Sequence, residues 1–165
     1  MQDRLLRTFL LPKVNRAYLL RLLALVVGSV ILFSQVLLPL RIQGHSMEPT
    51  YRDGTWNFCW RGRYLFHDPK PGDVVVIRFA GTRVNLLKRI VALSGETVAF
   101  QKGVLLVNGR AVNEPYLQDP LPWNLAPRTV EPGKVYVVGD NRRVPMEVHQ
   151  FGQVNMQRIV GGLLW

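Results

Sequence analysis

The sequence predicts a mainly β protein with an N-terminal single transmembrane helix. Two observations carry this prediction: residues 22–40 contain no charge, and beyond residue 41 short β-rich runs alternate with dense turn motifs. A chain of 165 residues is long enough for one domain with a core. Because 48% of its residues are hydrophobic and 19% are charged, a largely disordered chain is excluded.

The apolar run at 22–40 has about the 20 residues that a helix needs to cross a hydrocarbon core. Residues 1–21 carry five Lys and Arg and one Asp, so the positive-inside rule leaves the N-terminus in the cytoplasm and places residues 41–165 across the membrane. A cleaved export signal would have a shorter run that ends in small residues. The other alternative is a buried core helix, which Gln35 favours.

The formal net charge is +10, and beyond residue 21 the basic residues form no cluster. We therefore expect no nucleic-acid partner. Cys59 is the only cysteine and is expected to be a small buried hydrophobe. The histidines His45, His67 and His149 are widely separated in the chain. Because no ligand pair has metal-site spacing, we expect no metal and no cofactor.

Residues 41–165 are expected to form a single β-rich domain. Asn108-Gly109 predicts a two-residue hairpin of the primed type. Residues 113–127 contain four prolines and predict a surface loop. The predicted strands are residues 55–60, 74–79, 86–93, 97–100, 104–107 and 135–138.

Lys88 interrupts the apolar face of one predicted strand. Side chains alternate along a strand, so Lys88 shares a face with Leu86 and Ile90. In apolar surroundings the ammonium form is disfavoured and the pKa falls, which makes the amine a candidate general base. Alternatively, the stem packs while the charged head reaches water, and the pattern leaves both interpretations open.

Ser46 is a candidate nucleophile in the loop that precedes the first β run. A serine hydroxyl needs a base to take its proton, and a desolvated lysine amine can be that base. No serine lies in a G-x-S-x-G motif, and Asp53-Gly54-Thr55 has the wrong order for an aspartic peptidase. The alternative is that Ser46 is only a turn residue.

These motifs resemble the type I signal peptidases, membrane-anchored Ser-Lys endopeptidases that remove signal peptides from exported proteins. Each motif alone is weak evidence for this family. Four motifs in this order after an N-terminal membrane anchor are specific for it. The chain is similar in size to the short bacterial forms and to the mitochondrial inner-membrane peptidases. The matching stretches are residues 46–50 with 53–54, 88–93 with 95–98, 107–109 with 114–116, and 139–142.

The resemblance implies the roles of the site residues. Ser46 attacks the scissile carbonyl, and Lys88 takes its proton and returns it to the leaving amine. The backbone N–H of Ser46 donates to the oxyanion. Many relatives have a hydroxyl residue two positions before the nucleophile, where this chain has Gly44.

The last motif departs from the family's usual pattern, Gly-Asp-Asn followed by Ser-x-Asp-Ser-Arg and Gly. In the stretch 139–152, which has the same length, Pro145 replaces the serine that supports the lysine, and Glu147 replaces the aspartate. The Glu147 carboxylate is expected to pair with Arg89 or His149. The resemblance implies structural support of the site by Arg89, Asp140, Glu147 and His149.

Trp56, Phe58 and Trp60 fall on one face of a predicted strand. By resemblance, this region includes a surface that contacts the membrane, because aromatic rings are favoured at the membrane–water interface. Ordinary core packing explains the same stripe, so both interpretations are open. The family's pockets accept small side chains at the first and third positions before the cut, as at the end of export signals.

The expected partners are signal-peptide-bearing preproteins and the lipid bilayer. The expected location is the bacterial cytoplasmic (inner) membrane, single-pass, with the mitochondrial inner membrane as the alternative. Two other functions stay open: a dedicated processing peptidase of the same family, for conjugation or pilus maturation, and an inactive membrane-anchored scaffold. A self-cleaving repressor would carry a DNA-binding domain in place of the apolar run.

Overall fold

The computed structural model describes residues 14–78 and 85–164. Residues 1–13 of the expected basic segment, and the last residue of the predicted strand 74–79, lie outside the described residues. The chain divides into two units, Met1–Leu37 and Leu38–Trp165.

Helix α1 (Arg16–Ile31) continues into a π-helical turn at Leu32–Val36. The helix begins where the Asn15 side chain accepts the N–H of Tyr18 at 2.8 Å, a standard N-cap. The stretch Arg16–Val36 is long and apolar enough to cross a membrane. None of its residues is buried, so the alternative of a core helix is wrong.

The helical segment therefore differs in its bounds from the predicted 22–40. It starts earlier because of the Asn15 cap, and its expected last residues belong to strand β1 (Leu37–Arg41). Pro39 explains the change, because proline lacks an N–H and disfavours helix at the residue before it. β1 lies at the edge of its sheet, where a proline is tolerated.

The second unit contains two β-sheets, so the predicted mainly β fold is confirmed. The larger sheet has the order β1-β2-β11-β3-β4-β9-β10, and the smaller has the order β7-β6-β5-β8. The strands after β1 are β2 (Trp56–Trp60), β3 (Val74–Arg78), β4 (Asn85–Ala92), β5 (Thr97–Gln101), β6 (Val104–Val107), β7 (Arg110–Ala111), β8 (Leu125–Thr129), β9 (Lys134–Val138), β10 (Gly152–Asn155) and β11 (Ile159–Leu163).

The hairpin between β6 and β7 is confirmed. Asn108 and Gly109 have φ values of 52° and 75°, which a type I′ turn requires at both central residues. Val107 pairs with Arg110 across the turn. The predicted loop at 113–127 is partly wrong, since Trp123 is buried and β8 begins at Leu125.

The main apolar cluster joins the two sheets, because it draws on β4 and β9 of the larger sheet and on β5, β6 and β8 of the smaller one. Phe100, Trp123 and Tyr136 are its largest members, and each is at most 4% exposed. β4 lies between β3 and β9, so its central residues are covered along both edges. This position fixes Lys88 opposite Val75, and Arg89 opposite Val138.

The two faces of β2 have opposite environments. Asn57 and Cys59 are buried, whereas Trp56 is 68% exposed and Trp60 is 37% exposed. The interpretation of this aromatic stripe as core packing is therefore wrong for the two tryptophans. A role of the stripe at the membrane stays a prediction.

Candidate active site

Lys88 is almost completely buried in the middle of the larger sheet. Its exposed fraction is 3%, and Ile90 on the same face of β4 is fully buried. Burial lowers the pKa of Lys88 from 10.5 to about 8, and the nearby charge of Asp140 opposes that shift. The predicted inward orientation is confirmed, and the alternative of a head in open water is wrong.

Ser46 lies in a turn whose entry is shaped by Gly44 and Asp53. The N–H of Gly44 donates to Oδ1 of Asp53 at 2.7 Å, and Gly44 has a φ of +90°, which favours glycine. Met47 is 1% exposed and anchors the turn in the domain. Ser46, half-buried, and Lys88 line one cavity of about 330 Å³.

The segment 139–141, from a distant part of the chain, holds the turn that contains Ser46. The backbone N–H of Asn141 donates to the carbonyl of Ser46 at 3.0 Å. The Asn141 side chain donates through Nδ2 to the carbonyl of His45 at 2.9 Å. Asn141 was given no role from the sequence, although the Gly139-Asp140-Asn141 motif was the signal that pointed to it.

Asp140 links the turn that contains Ser46 to β4, the strand that contains Lys88. Its carboxylate accepts hydrogen bonds from Nε of Arg89 at 2.8 Å and from Nη2 of Arg89 at 2.6 Å. In this bidentate pair the side chain of Asp140 is 0% exposed and that of Arg89 is 12% exposed. Asp140 also accepts from Oγ1 of Thr50 at 2.6 Å. Arg89 further donates to the carbonyl of Gly72 at 2.7 Å, and its guanidinium lies 3.9 Å from the centroid of the Tyr116 ring.

The expected pairing of Glu147 is wrong. Glu147 is exposed in a short 3₁₀ helix, Met146–Val148, and within residues 14–78 and 85–164 it forms no ion pair. Arg89 is already paired with Asp140, which lies deeper in the domain. Pro145, at the place of the family's supporting serine, is exposed.

His149 is buried, with 8% of its surface exposed, and lines the cavity that Ser46 and Lys88 line. Its Nε2 accepts the backbone N–H of Gly139 at 3.1 Å. Burial, together with the positive charges of Lys88 and Arg142, lowers the pKa of His149 to about 4. The ring is therefore neutral at neutral pH.

A second cavity of about 330 Å³ adjoins the first, and both contain Ser46 on their lining. Its wall is mixed, with Arg41, Gln43 and Asn85 beside six apolar side chains. The apolar side chains belong to Leu40, Ile42, Met47, Val76, Leu86 and Leu87. In the described part of the chain, no group of three His, Cys, Asp or Glu side chains is placed to hold a metal ion.

Comparison with known proteins assigns the family. Residues 15–164 match the model of the family described as signal peptidase, peptidase S26. The chain is 32% identical over 134 residues to signal peptidase I of Bacillus licheniformis, covering 74% of this chain and 72% of that protein. It is 30% identical to thylakoidal processing peptidase 1 of Arabidopsis thaliana, covering 81% of this chain and 42% of that protein.

A crystal structure of a signal peptidase I from Enterococcus faecalis superposes with a TM-score of 0.46 at 23% identity, covering 59% of this chain and 97% of the other. The family match spans both described units and contains Ser46, Lys88 and the segment 139–141. The family model and the Bacillus relative are both described as signal peptidases. The chain belongs to the signal peptidase family of peptidases, S26.

Proposed function

We propose that this chain is a membrane-bound serine endopeptidase that removes signal peptides from exported proteins, with Ser46 as nucleophile and Lys88 as general base. The observation that carries the proposal is the cavity that both residues line, in which the lysine is buried and its pKa is lowered to about 8. An amine with such a pKa is neutral in an appreciable fraction of molecules near pH 7.5, so it can accept a proton.

In the proposed reaction, Nζ of Lys88 accepts the proton of the Ser46 hydroxyl as Oγ attacks the scissile carbonyl carbon. The tetrahedral intermediate collapses when the C–N bond breaks, and the Lys88 ammonium returns the proton to the leaving amine. The resulting ester joins Ser46 to the signal peptide. Water then attacks this ester with Lys88 again acting as base, which releases the peptide and restores the serine.

The backbone N–H of Ser46 is the proposed oxyanion donor. It donates no hydrogen bond to any partner in the described residues, so it is available to a substrate oxygen. A single donor of this kind has been worth about 3–4 kcal/mol of transition-state stabilisation in a serine peptidase. Gly44 has no hydroxyl to add a second donor, so the backbone N–H carries this role without help from position 44.

The second cavity beside Ser46, whose lining includes Ile42, Met47 and Leu86, is the proposed site for the small side chains that precede the cut in export signals. Helix α1 is the proposed membrane anchor, with the N-terminus in the cytoplasm and residues 38–165 on the other side. The bacterial cytoplasmic membrane is the proposed location, and the mitochondrial inner membrane is the alternative.

The decisive experiment compares wild type with Ser46→Ala, Lys88→Ala and Lys88→Arg on purified preproteins, with the mature N-terminus identified by sequencing. Only wild type should cut, and Lys88→Arg should fail because a guanidinium stays protonated. Normal cutting by Lys88→Ala would refute the base assignment. An inert wild type would favour the scaffold, and cutting of a single specialised preprotein would favour the dedicated peptidase.

A further inference from the structure

The ring of His149 is held in a fixed orientation by aromatic neighbours. The centroid of the Trp123 ring lies 4.9 Å away in an edge contact, and that of Phe151 lies 6.2 Å away. One side of the ring is thus packed in the core, while the residue also lines the cavity of Ser46 and Lys88. A substitution that keeps an aromatic ring here should keep this packing.

The hydrogen bonds define which form of the imidazole is present. Nε2 accepts the N–H of Gly139, so Nε2 carries the lone pair and the proton of the neutral ring lies on Nδ1. Protonation would remove this acceptor and add a charge close to Lys88 and Arg142, the two cations that act on the ring. Asp140 is the carboxylate whose negative charge acts on Lys88.

Gly139 lies between the His149 ring and the turn that contains Ser46, and it contacts both. A Cβ built on Gly139 would overlap the carbonyl oxygen of Ser46 and would lie 2.8 Å from the His149 ring. Asn141, two residues further on, donates to that same Ser46 carbonyl. The imidazole, the 139–141 segment and the main chain of Ser46 therefore form one continuous series of contacts.

We propose that His149 is a positioning residue: its neutral imidazole, as acceptor for Gly139, holds the 139–141 segment so that this segment fixes Ser46 at the cavity of Lys88. This inference rests on the proposed function. The family's usual pattern has an arginine at this place, and an arginine has no lone pair with which to accept the Gly139 N–H. The arrangement is thus a property of this chain, and the exposed Glu147 plays no part in it.

The test compares His149→Phe, which keeps the ring and loses the acceptor, with His149→Gln, which keeps an acceptor at similar reach. The full chain in detergent micelles is assayed for kcat and KM on a purified preprotein, and thermal unfolding is followed in parallel. His149→Phe should lower kcat by about 10–100-fold with KM unchanged within about twofold, as removal of a supporting hydrogen bond does. His149→Gln should recover most of kcat, and Glu147→Gln should equal wild type.

Full kcat in His149→Phe would overturn the proposal. So would equal losses in both variants that track a lower Tm, because that result indicates a structural role alone. Nitrogen NMR of ¹⁵N-histidine-labelled protein should show His149 neutral at pH 7 with the proton on Nδ1, and a proton on Nε2 would also overturn the proposal. If wild type itself cuts no preprotein, the proposed function fails first, and every variant is equally inert.

Discussion

The buried amine of Lys88 makes the expected activity depend on pH. Because only the neutral amine accepts a proton, kcat/KM should rise with pH through about 8, the pKa of Lys88, and fall tenfold per unit below it. The measurement is a profile from pH 6 to 10 on a peptide substrate without ionisable groups near the cut. A profile that is flat from pH 6 to 9 would refute Lys88 as the base.

Burial of the Lys88 ammonium should lower the stability of the folded chain. The unfolded chain binds the Lys88 proton up to about pH 10.5 and the folded chain only up to about 8, so this group's contribution to stability rises with pH between those values. Lys88→Met should therefore stabilise the fold at pH 7 by about 1–3 kcal/mol while abolishing activity.

The gain of Lys88→Met should disappear as the pH approaches 10.5, as measured by denaturant unfolding at several pH values. Lys70→Met is the matched control, because Lys70 is exposed and its substitution should change stability by less than about 0.5 kcal/mol at any pH. A loss of stability in Lys88→Met at pH 7 would show that the ammonium is well solvated.

Single residues were predictable from the sequence where strand alternation applies. The period of two in β4 predicted that Lys88 shares a face with Leu86 and Ile90, whereas the burial of its amine was decided only by the packing of the sheet. The pairing of Arg89 was not predictable in the same way, because Asp140 and Glu147 are both distant in sequence. Only the packing of β4 beside β9 decides that Asp140 is the partner.

The 139–141 segment should not tolerate a larger residue at its first position. Gly139→Ala places a methyl group against the Ser46 carbonyl and the His149 ring, so stability should fall by about 1–3 kcal/mol and kcat should fall with it. Gly28→Ala is the control, since no atom lies within 4 Å of its added Cβ. Thermal unfolding and preprotein cleavage by both variants provide the measurement.

Substitutions on the two faces of strand β2 should differ in their effect on stability. Trp56→Ser should leave stability unchanged within about 0.5 kcal/mol, because the side chain is 68% exposed. Cys59→Ser places a hydroxyl in a fully buried position and should cost about 1–3 kcal/mol. Equal effects of the two changes in denaturant unfolding would show that the aromatic stripe is covered within the protein.

Whole elements were predictable where the local pattern is strong. The six predicted strands are present because β-rich runs and turn residues mark their bounds. β1, β8, β10 and β11 were not predicted, and β7 was implied only by the predicted hairpin. In β11, Gly161 and Gly162 break the β-rich pattern, and a Cβ on Gly161 would overlap the Trp60 carbonyl, so close packing of strands explains its sequence. The start of α1 was misplaced because the Asn15 cap was overlooked.

For the molecule as a whole, the proposed orientation can be tested by cysteine labelling. Cys59 is fully buried and burial raises the pKa of its thiol to about 11, so the native chain should give no background with a maleimide. Arg110→Cys, exposed in β7, should react in intact cells with a reagent that cannot cross membranes. Gln2→Cys should react only after permeabilisation, and the reverse pattern would invert the topology.

The hydrogen bond from Asn141 to Ser46 joins positions that leave the ribosome at very different times. Because synthesis runs from the N-terminus, Ser46 and Lys88 emerge before the segment that organises them. The turn that carries Ser46 can therefore form its hydrogen bond with Asn141 only after most of the chain has been synthesised.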